Sequence, residues 1–265
     1  RKLYDHDRAY IFQNSDGRIV FAIPYEDDFT LIGTTDRDHE SSPSEARITP
    51  EEQAYLLSAV SEYFEHPVTD EDVVWTFSGV RPLHDDGTGN ASAVTRDYTL
   101  TLEGAAGEAP LLNVFGGKIT TYRKLAEAAM AKLGAAFAAM RDDWTARVPL
   151  PGGDFPWDGA PDLVSQLRAA YPFLTVAMAR RLVRHYGTEA SSVLGDAESM
   201  GDLGDHFGAG LTEAELRWLV ANEFARTGED VLWRRTKQGL RLSPHEAARV
   251  DDWVRAEVAR RRETV

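Results

Sequence analysis

The chain has 265 residues, of which 43% are hydrophobic, so it can bury a core large enough for one or two domains. Its 43 acidic and 29 basic residues give a net charge of -14, which argues against a nucleic-acid-binding surface. Cysteine is absent, which excludes disulfides, thiolate metal sites and thiol nucleophiles. We predict no metal site, and no apolar stretch reaches the roughly 18 residues needed to cross a bilayer.

The first half of the sequence predicts several strands and one early helix. The expected strands cover residues 9–12, 18–24, 29–34, 73–77, 98–103 and 111–115. The first three are separated by polar turns, as in an antiparallel meander. A helix is predicted to start at Thr49, which serves as the N-cap, with Pro50 at the first position and Glu52 closing a capping box.

A strand that breaks at two glycines and continues into a helix is predicted around Gly116-Gly117. Lys118 lies at the turn, and a Thr-rich helix start leads into an amphipathic stretch that ends near Leu133. A helix N-terminus presents unpaired backbone N–H groups and a positive dipole end, and glycines allow close approach. The pattern suits a phosphate, a carboxylate or the electron-rich end of a flavin ring. An ordinary strand-turn-helix corner has the same pattern.

Two arginines upstream of this turn are candidate anion ligands. Arg81 ends an apolar run and precedes Pro82, which disfavours a helical conformation at Arg81. An arginine at a strand end is well suited to bidentate binding of phosphate or carboxylate. Arg96 is the weaker candidate, because its neighbour Asp97 can neutralise it. Taken singly, Arg81 fits a surface or interdomain ion pair better than a ligand site, and the same holds more strongly for Arg96.

The second half of the sequence predicts a helical domain. Between residues 141 and 160 the composition shifts to Pro, Gly, Asp and Trp without a period, which predicts a linker between domains at 1–140 and 161–265. The expected helices cover residues 162–170, 175–186, 188–194, 212–224 and 244–261. Thr212 with Glu215, and Ser243 with Glu246, predict two further capping boxes.

Several segments, in the same order along the chain, resemble the C-terminal half of FAD-dependent glycerol-3-phosphate dehydrogenases of the respiratory, aerobic type, in the D-amino-acid-oxidase-like superfamily. The motifs are Ile23-Pro24-Tyr25, Ile32 through Asp36, Trp75 through Leu83, Thr95 through Thr99, Phe115 through Leu125, Leu150 through Gly153, Tyr171 through Leu174 and Leu232 through Gly239. The Gly-x-Gly-x-x-Gly fingerprint of such families does not occur. We therefore expect a C-terminal part that lacks the fingerprint half and is incomplete and inactive in isolation.

The resemblance implies an α+β fold, in which an antiparallel-sheet substrate domain and part of a flavin-binding α/β domain precede an all-helical C-terminal domain. It implies oxidation of sn-glycerol 3-phosphate to dihydroxyacetone phosphate by hydride transfer to FAD, with electrons passed to quinone. By this resemblance Arg81 and Arg96 bind the substrate phosphate, and Lys118 stabilises developing negative charge as the catalytic residue. The implied FAD-binding residues are Gly116, Gly117, Lys118, Ile119 and Thr120.

The resemblance also implies peripheral association with the inner, cytoplasmic face of the cell membrane, a partner half that binds FAD, and a homodimer. None of the nearby histidines, His39, His66 and His84, lies in a motif of the family, so the general base is not assigned. Asp36 fits either the substrate cleft or a structural turn cap.

Two alternatives stay open. One is another FAD-dependent oxidase of the same superfamily, acting on an amino acid or using oxygen. The other is a non-catalytic module for dimerisation or docking.

Overall fold

The computed structural model describes residues 1–81, 97–104, 108–134, 136–137 and 143–263. The chain forms two compact units, Arg1–Arg147 and Val148–Val265. Antiparallel sheets occur in the first unit and helices dominate the second, so the prediction of an α+β fold with a helical C-terminal region is confirmed.

The first unit contains a three-stranded antiparallel meander with the order β1-β2-β3. Its strands are β1 (Tyr10–Gln13), β2 (Ile19–Tyr25) and β3 (Phe29–Gly33). Helix α1 (Pro50–Ser61) packs against it, and the shared core contains Phe12, Val20, Ala22, Leu56, Ala59 and Val60. The predicted capping box is present, since the Glu52 N–H donates to Thr49 Oγ1 and the Thr49 N–H donates to Glu52 Oε2.

The same unit contains a two-stranded antiparallel sheet of β4 (Tyr98–Glu103) and β5 (Leu111–Gly116). Tyr98 pairs with Gly116 and Glu103 with Leu111 at its two ends. Helix α2 (Tyr122–Leu133) follows a 3-10 turn at Ile119–Thr121 and packs against β4. This is the strand-turn-helix corner that the two glycines predict.

The predicted strand at residues 73–77 is wrong. The segment has no ladder partner among the described residues, and it follows a 3-10 turn at Asp70–Asp72. Trp75 and Phe77 stack with ring centroids 4.9 Å apart, and Phe77 is 58% exposed. A short apolar run favours a buried strand, but a strand also needs a hydrogen-bonded neighbour.

The second unit is a helical bundle with one small hairpin. Its helices are α3 (Ala160–Ala170), α4 (Val176–Tyr186), α5 (Ala190–Leu194), α6 (Glu213–Asn222) and α7 (Pro244–Glu263), with a π-helical turn at Asp230–Arg235. The hairpin pairs β6 (His206–Gly208) with β7 (Leu211–Thr212). We did not predict this hairpin, because its strands are too short to display a period. The core includes Leu182, Leu203, Leu216, Leu219 and Val250.

A buried ion pair joins α4 to α6. Arg181 donates to both carboxylate oxygens of Glu215, at 2.6 and 2.7 Å, and the Tyr186 hydroxyl donates to Oε1 at 2.7 Å. Burial alone raises the pKa of Glu215, but the Arg181 charge, its hydrogen bonds and the Tyr186 hydroxyl together hold that pKa below its ordinary value. The predicted Thr212–Glu215 capping box is therefore wrong, since Thr212 makes no side-chain cap. The Ser243–Glu246 box is confirmed.

Candidate functional site

The turn after β5 exposes an uncapped helix N-terminus. Gly116 and Gly117 have φ values of +71° and +97°, a region that side-chain-bearing residues rarely adopt, so the chain reverses here without steric cost. Lys118 precedes the 3-10 turn, and neither this turn nor α2 has a side-chain cap. Ile119 is 88% exposed, and Lys118 and Thr120 are also exposed. Backbone N–H groups at a helix start lack intrahelical partners, so this turn can bind an anion or a polar ring edge.

A charge network braces the first turns of α2. Arg123 and Lys124 lie where the helix dipole disfavours cations, and both pair with Glu127, at 2.6 and 2.9 Å. The Thr145 hydroxyl donates to the same carboxylate at 2.5 Å. Hydrogen bonds from Thr145 and Lys124, together with the nearby positive charges, lower the pKa of Glu127 to about 2. The network therefore fastens the segment around residue 145 to α2, which the sequence motifs did not indicate.

Arg81 forms an ion pair with Asp36, with 2.6 Å between Nη1 and Oδ2. The two side chains are 45% and 52% exposed. This contact assigns Asp36 a partner that sequence reasoning missed, although both residues lie in motifs that carry the family resemblance. Among the described residues, no hydrogen bond or ion pair joins Arg81 to the Gly116–Thr120 turn. The second predicted phosphate ligand, Arg96, lies outside the described residues, as does His84.

No group in the described part of the chain stands out as a general base or a metal centre. His39 Nε2 lies 2.9 Å from the Ser42 carbonyl oxygen, a local turn contact. Three or more His, Cys, Asp or Glu side chains that could hold a metal ion do not cluster within the described ranges. The helices in those ranges include none that is both long and apolar enough to span a membrane.

Two family models match consecutive parts of the chain. The FAD dependent oxidoreductase family matches residues 2–123, and the family described as the C-terminal domain of alpha-glycerophosphate oxidase matches residues 144–261. The junction between the two matches lies next to the boundary between the two structural units.

Curated relatives extend the comparison across nearly the whole chain. Glycerol-3-phosphate dehydrogenase from Pseudomonas aeruginosa is 47% identical over 97% of this chain and 50% of the relative. The aerobic glycerol-3-phosphate dehydrogenase of Escherichia coli is 46% identical, over 96% of this chain and 50% of that protein. D-erythritol 1-phosphate dehydrogenase from Brucella abortus is also 46% identical, over 95% and 50%. The chain thus spans about half the length of these relatives.

A solved structure has the same fold. The crystal structure of glycerol-3-phosphate dehydrogenase from Bacillus halodurans, complexed with FAD, superposes with a TM-score of 0.70 at 26% identity. The match covers 95% of this chain and 53% of that protein. Sequence and fold therefore agree: residues 2–123 carry a domain of the FAD dependent oxidoreductase family, and residues 144–261 carry a domain of the family described as the C-terminal domain of alpha-glycerophosphate oxidase.

Proposed function

We propose that this chain is the substrate-binding and helical part of an enzyme that oxidises sn-glycerol 3-phosphate to dihydroxyacetone phosphate. The observation that carries the proposal is the exposed, uncapped helix start behind Gly116-Gly117, in a chain 46–47% identical to glycerol-3-phosphate dehydrogenases. A phosphorylated polyol needs a cationic anchor for its phosphate, and Arg81 lies in a family motif upstream of this turn.

The residues at the turn fit FAD. The two glycines adopt left-handed backbone conformations, and the following N–H groups belong to an uncapped helix start, a combination that accepts an electron-rich ring edge. Gly116, Gly117, Lys118, Ile119 and Thr120 hold the cofactor in this proposal. When bound, FAD supplies the acceptor for the hydride that leaves C2 of the substrate. The Lys118 ammonium lies next to this site and stabilises negative charge that develops there.

Arg81 binds the substrate phosphate, and Arg96 assists it. The phosphate carries close to two negative charges, and a guanidinium can meet it with two parallel N–H donors. The chain has a net charge of -14, so the anion is attracted by local cations rather than by the overall field. Positive side chains at the site are therefore indispensable for affinity.

A second half that binds the dinucleotide completes the site. An isolated two-stranded sheet is marginally stable in water, yet β5 exposes Leu111, Val114 and Phe115 at 57%, 48% and 41%. The exposure of these apolar side chains supports a contact with a second half of the protein, which corresponds to the half of the relatives that this chain does not match. By itself the chain is then expected to be inactive.

The electron acceptor in this proposal is a membrane quinone. The aerobic glycerol-3-phosphate dehydrogenase among the relatives supports it, whereas the oxidase name of the C-terminal family favours oxygen. We propose a homodimer that works peripherally at the cytoplasmic face of the cell membrane. Quinone reduction without oxygen consumption, measured on the purified holoenzyme, supports the quinone assignment; the reverse result contradicts it.

A second candidate substrate is D-erythritol 1-phosphate. A D-erythritol 1-phosphate dehydrogenase matches this chain at 46% identity, as closely as the relatives named for glycerol 3-phosphate. Both substrates present one phosphate to Arg81, so the phosphate site does not separate them. The two substrates differ instead in the length of the polyol chain.

The test uses the upstream-extended reading frame, purified with its flavin. Glycerol 3-phosphate is mixed with it anaerobically while the flavin absorbance is followed, and rapid bleaching is expected. Arg81→Ala should raise KM by about 30-fold to 1,000-fold, the equivalent of roughly 2–4 kcal/mol for truncating a phosphate-binding charge.

The matched control is Arg18→Ala. Arg18 also forms an exposed pair with an aspartate, Asp16, at 2.7 Å, but lies in the turn before β2. Its removal should leave KM unchanged. Faster bleaching by D-erythritol 1-phosphate would transfer the assignment to that substrate, and bleaching by an amino acid alone would favour the amino-acid oxidases. A flavin that stays oxidised with both polyol phosphates contradicts the proposed function.

A further inference from the structure

We propose that Asp36 is a positioning residue that orients Arg81 for the phosphate group of the substrate. The inference rests on the proposed function and deepens it, because it identifies the group that fixes the direction of the phosphate ligand. The contact is specific: Arg81 Nη1 donates to Asp36 Oδ2 at 2.6 Å across 45 residues of sequence. It joins the motif that ends at Asp36 to the motif that contains Arg81.

Contacts made by the two residues next to Asp36 hold it in place. Its neighbours Thr35 and Arg37 both turn towards Glu52, with the Thr35 hydroxyl donating to Oε1 at 2.8 Å and Arg37 Nη1 lying 3.8 Å from Oε2. These two contacts with Glu52 hold the chain on both sides of one intervening residue. Asp36 is this intervening residue, and it reaches Arg81.

Glu52 is a rigid anchor for this brace. Its carboxylate closes the capping box of α1, accepting the Thr49 N–H at 3.0 Å, and its side chain is only 16% exposed. The backbone hydrogen bond from Thr49, with smaller contributions from the Thr35 hydroxyl and Arg37, lowers the pKa of Glu52. It therefore stays ionised and keeps both contacts at neutral pH. The orientation of Asp36 therefore depends on Glu52, in the first turn of α1.

Orientation matters because an exposed arginine has several rotatable bonds and loses that freedom on binding. A guanidinium has five N–H donors, and Asp36 engages Nη1. The remaining N–H donors of the guanidinium then point in one fixed direction before the phosphate binds. Asp36 also brings a negative charge near a dianion, an opposing effect. The proposal is that preorganisation exceeds this repulsion, so loss of the carboxylate weakens phosphate binding.

The experiment is a double-mutant cycle in the flavin-loaded, upstream-extended protein. Asp36→Asn, Arg81→Ala and the double variant are compared by anaerobic kinetics with glycerol 3-phosphate. Calorimetric titration with dihydroxyacetone phosphate measures affinity without turnover. Asp36→Asn is expected to raise KM and the dissociation constant about tenfold with kcat within about twofold, the effect of losing one oriented charge-assisted contact. In the Arg81→Ala background the same change should have no further effect.

The control is Asp16→Asn, which removes the carboxylate from the exposed Arg18 pair and should change neither constant. Flavin content and circular dichroism confirm that each variant is folded. Unchanged or tighter binding by Asp36→Asn overturns the proposal, since Asp36 would then be a surface partner or a competitor of the phosphate. An equal loss in the Arg81→Ala background also overturns it. A wild-type flavin that neither polyol phosphate reduces is a separate result, which refutes the proposed function and this inference with it.

Discussion

The buried pair between Arg181 and Glu215 is the sharpest test of the energetics of the helical unit. Glu215 is 0% exposed and Arg181 is 13% exposed, so both charges are shielded from most of the water. Replacing Glu215 with Ala leaves the guanidinium and the Tyr186 hydroxyl without their shared acceptor. A buried charge that loses its partner costs about 3–5 kcal/mol, which is roughly a fifth or more of the stability of a typical small domain.

Two further variants distinguish the cost of leaving one buried charge unpaired from the effect of removing both charges and from the loss of an exposed pair. In the double variant Arg181→Met, Glu215→Leu no charge remains to be desolvated, but the buried Tyr186 hydroxyl still loses its acceptor, at a cost of about 1–3 kcal/mol. We therefore expect a stability within about 3 kcal/mol of wild type and above that of Glu215→Ala. Glu229→Gln breaks the pair with Arg234, in which the side chains are 66% and 53% exposed. Exposed pairs are screened by water, and the expected loss is below about 1 kcal/mol.

Urea denaturation of the whole chain, followed by circular dichroism, measures the free energy of unfolding. Native-state hydrogen exchange at amides of α4 and α6 assigns the change to the helical unit, because each cooperative unit opens with its own free energy. If Glu215→Ala lowered stability no more than Glu229→Gln does, the argument from burial would be refuted. A double variant as unstable as Glu215→Ala would indicate that packing, rather than charge, dominates.

Two other predictions concern pH and backbone conformation. Because the folded pKa of Glu127 is about 2 against an ordinary 4.5, its stabilising contribution is complete above about pH 4.5 and is lost as the pH falls towards 2. Glu127→Gln should therefore flatten the acid limb of stability in denaturation curves recorded across this range, and an unchanged acid limb would contradict the assignment. Gly187 and Gly195 share φ values of +55° and +58°, but a Cβ at Gly187 collides with the Gly152 carbonyl and one at Gly195 has open space. Gly187→Ala should lower the melting temperature clearly more than Gly195→Ala, whose cost is the backbone conformation alone, about 1–3 kcal/mol; equal losses would contradict the role of the close approach.

Much of the local structure follows from the sequence. The helix start at Thr49 and the start at Ser243 were predictable because a cap, its acceptor and the helix lie within four residues of one another. The same reason applies to the three-stranded meander, whose turns are encoded between its strands. The break after β5 was predictable because Gly116 and Gly117 accept backbone angles that other residues avoid.

Groups that depend on distant partners were decided by tertiary structure. Glu215 has the spacing of a capping residue, but in the fold it pairs in the core with Arg181, 34 residues earlier. The run at residues 73–77 is apolar like a buried strand, yet it has no hydrogen-bonded neighbour in the described part of the chain. The sequence allows Arg81 to be an anion ligand or an ion-pair residue, and only the fold identifies Asp36, 45 residues away, as its partner. Sequence determines interactions within a turn or two, because covalent geometry brings those groups together, whereas the direction of a buried or binding side chain is set by whichever elements pack against it.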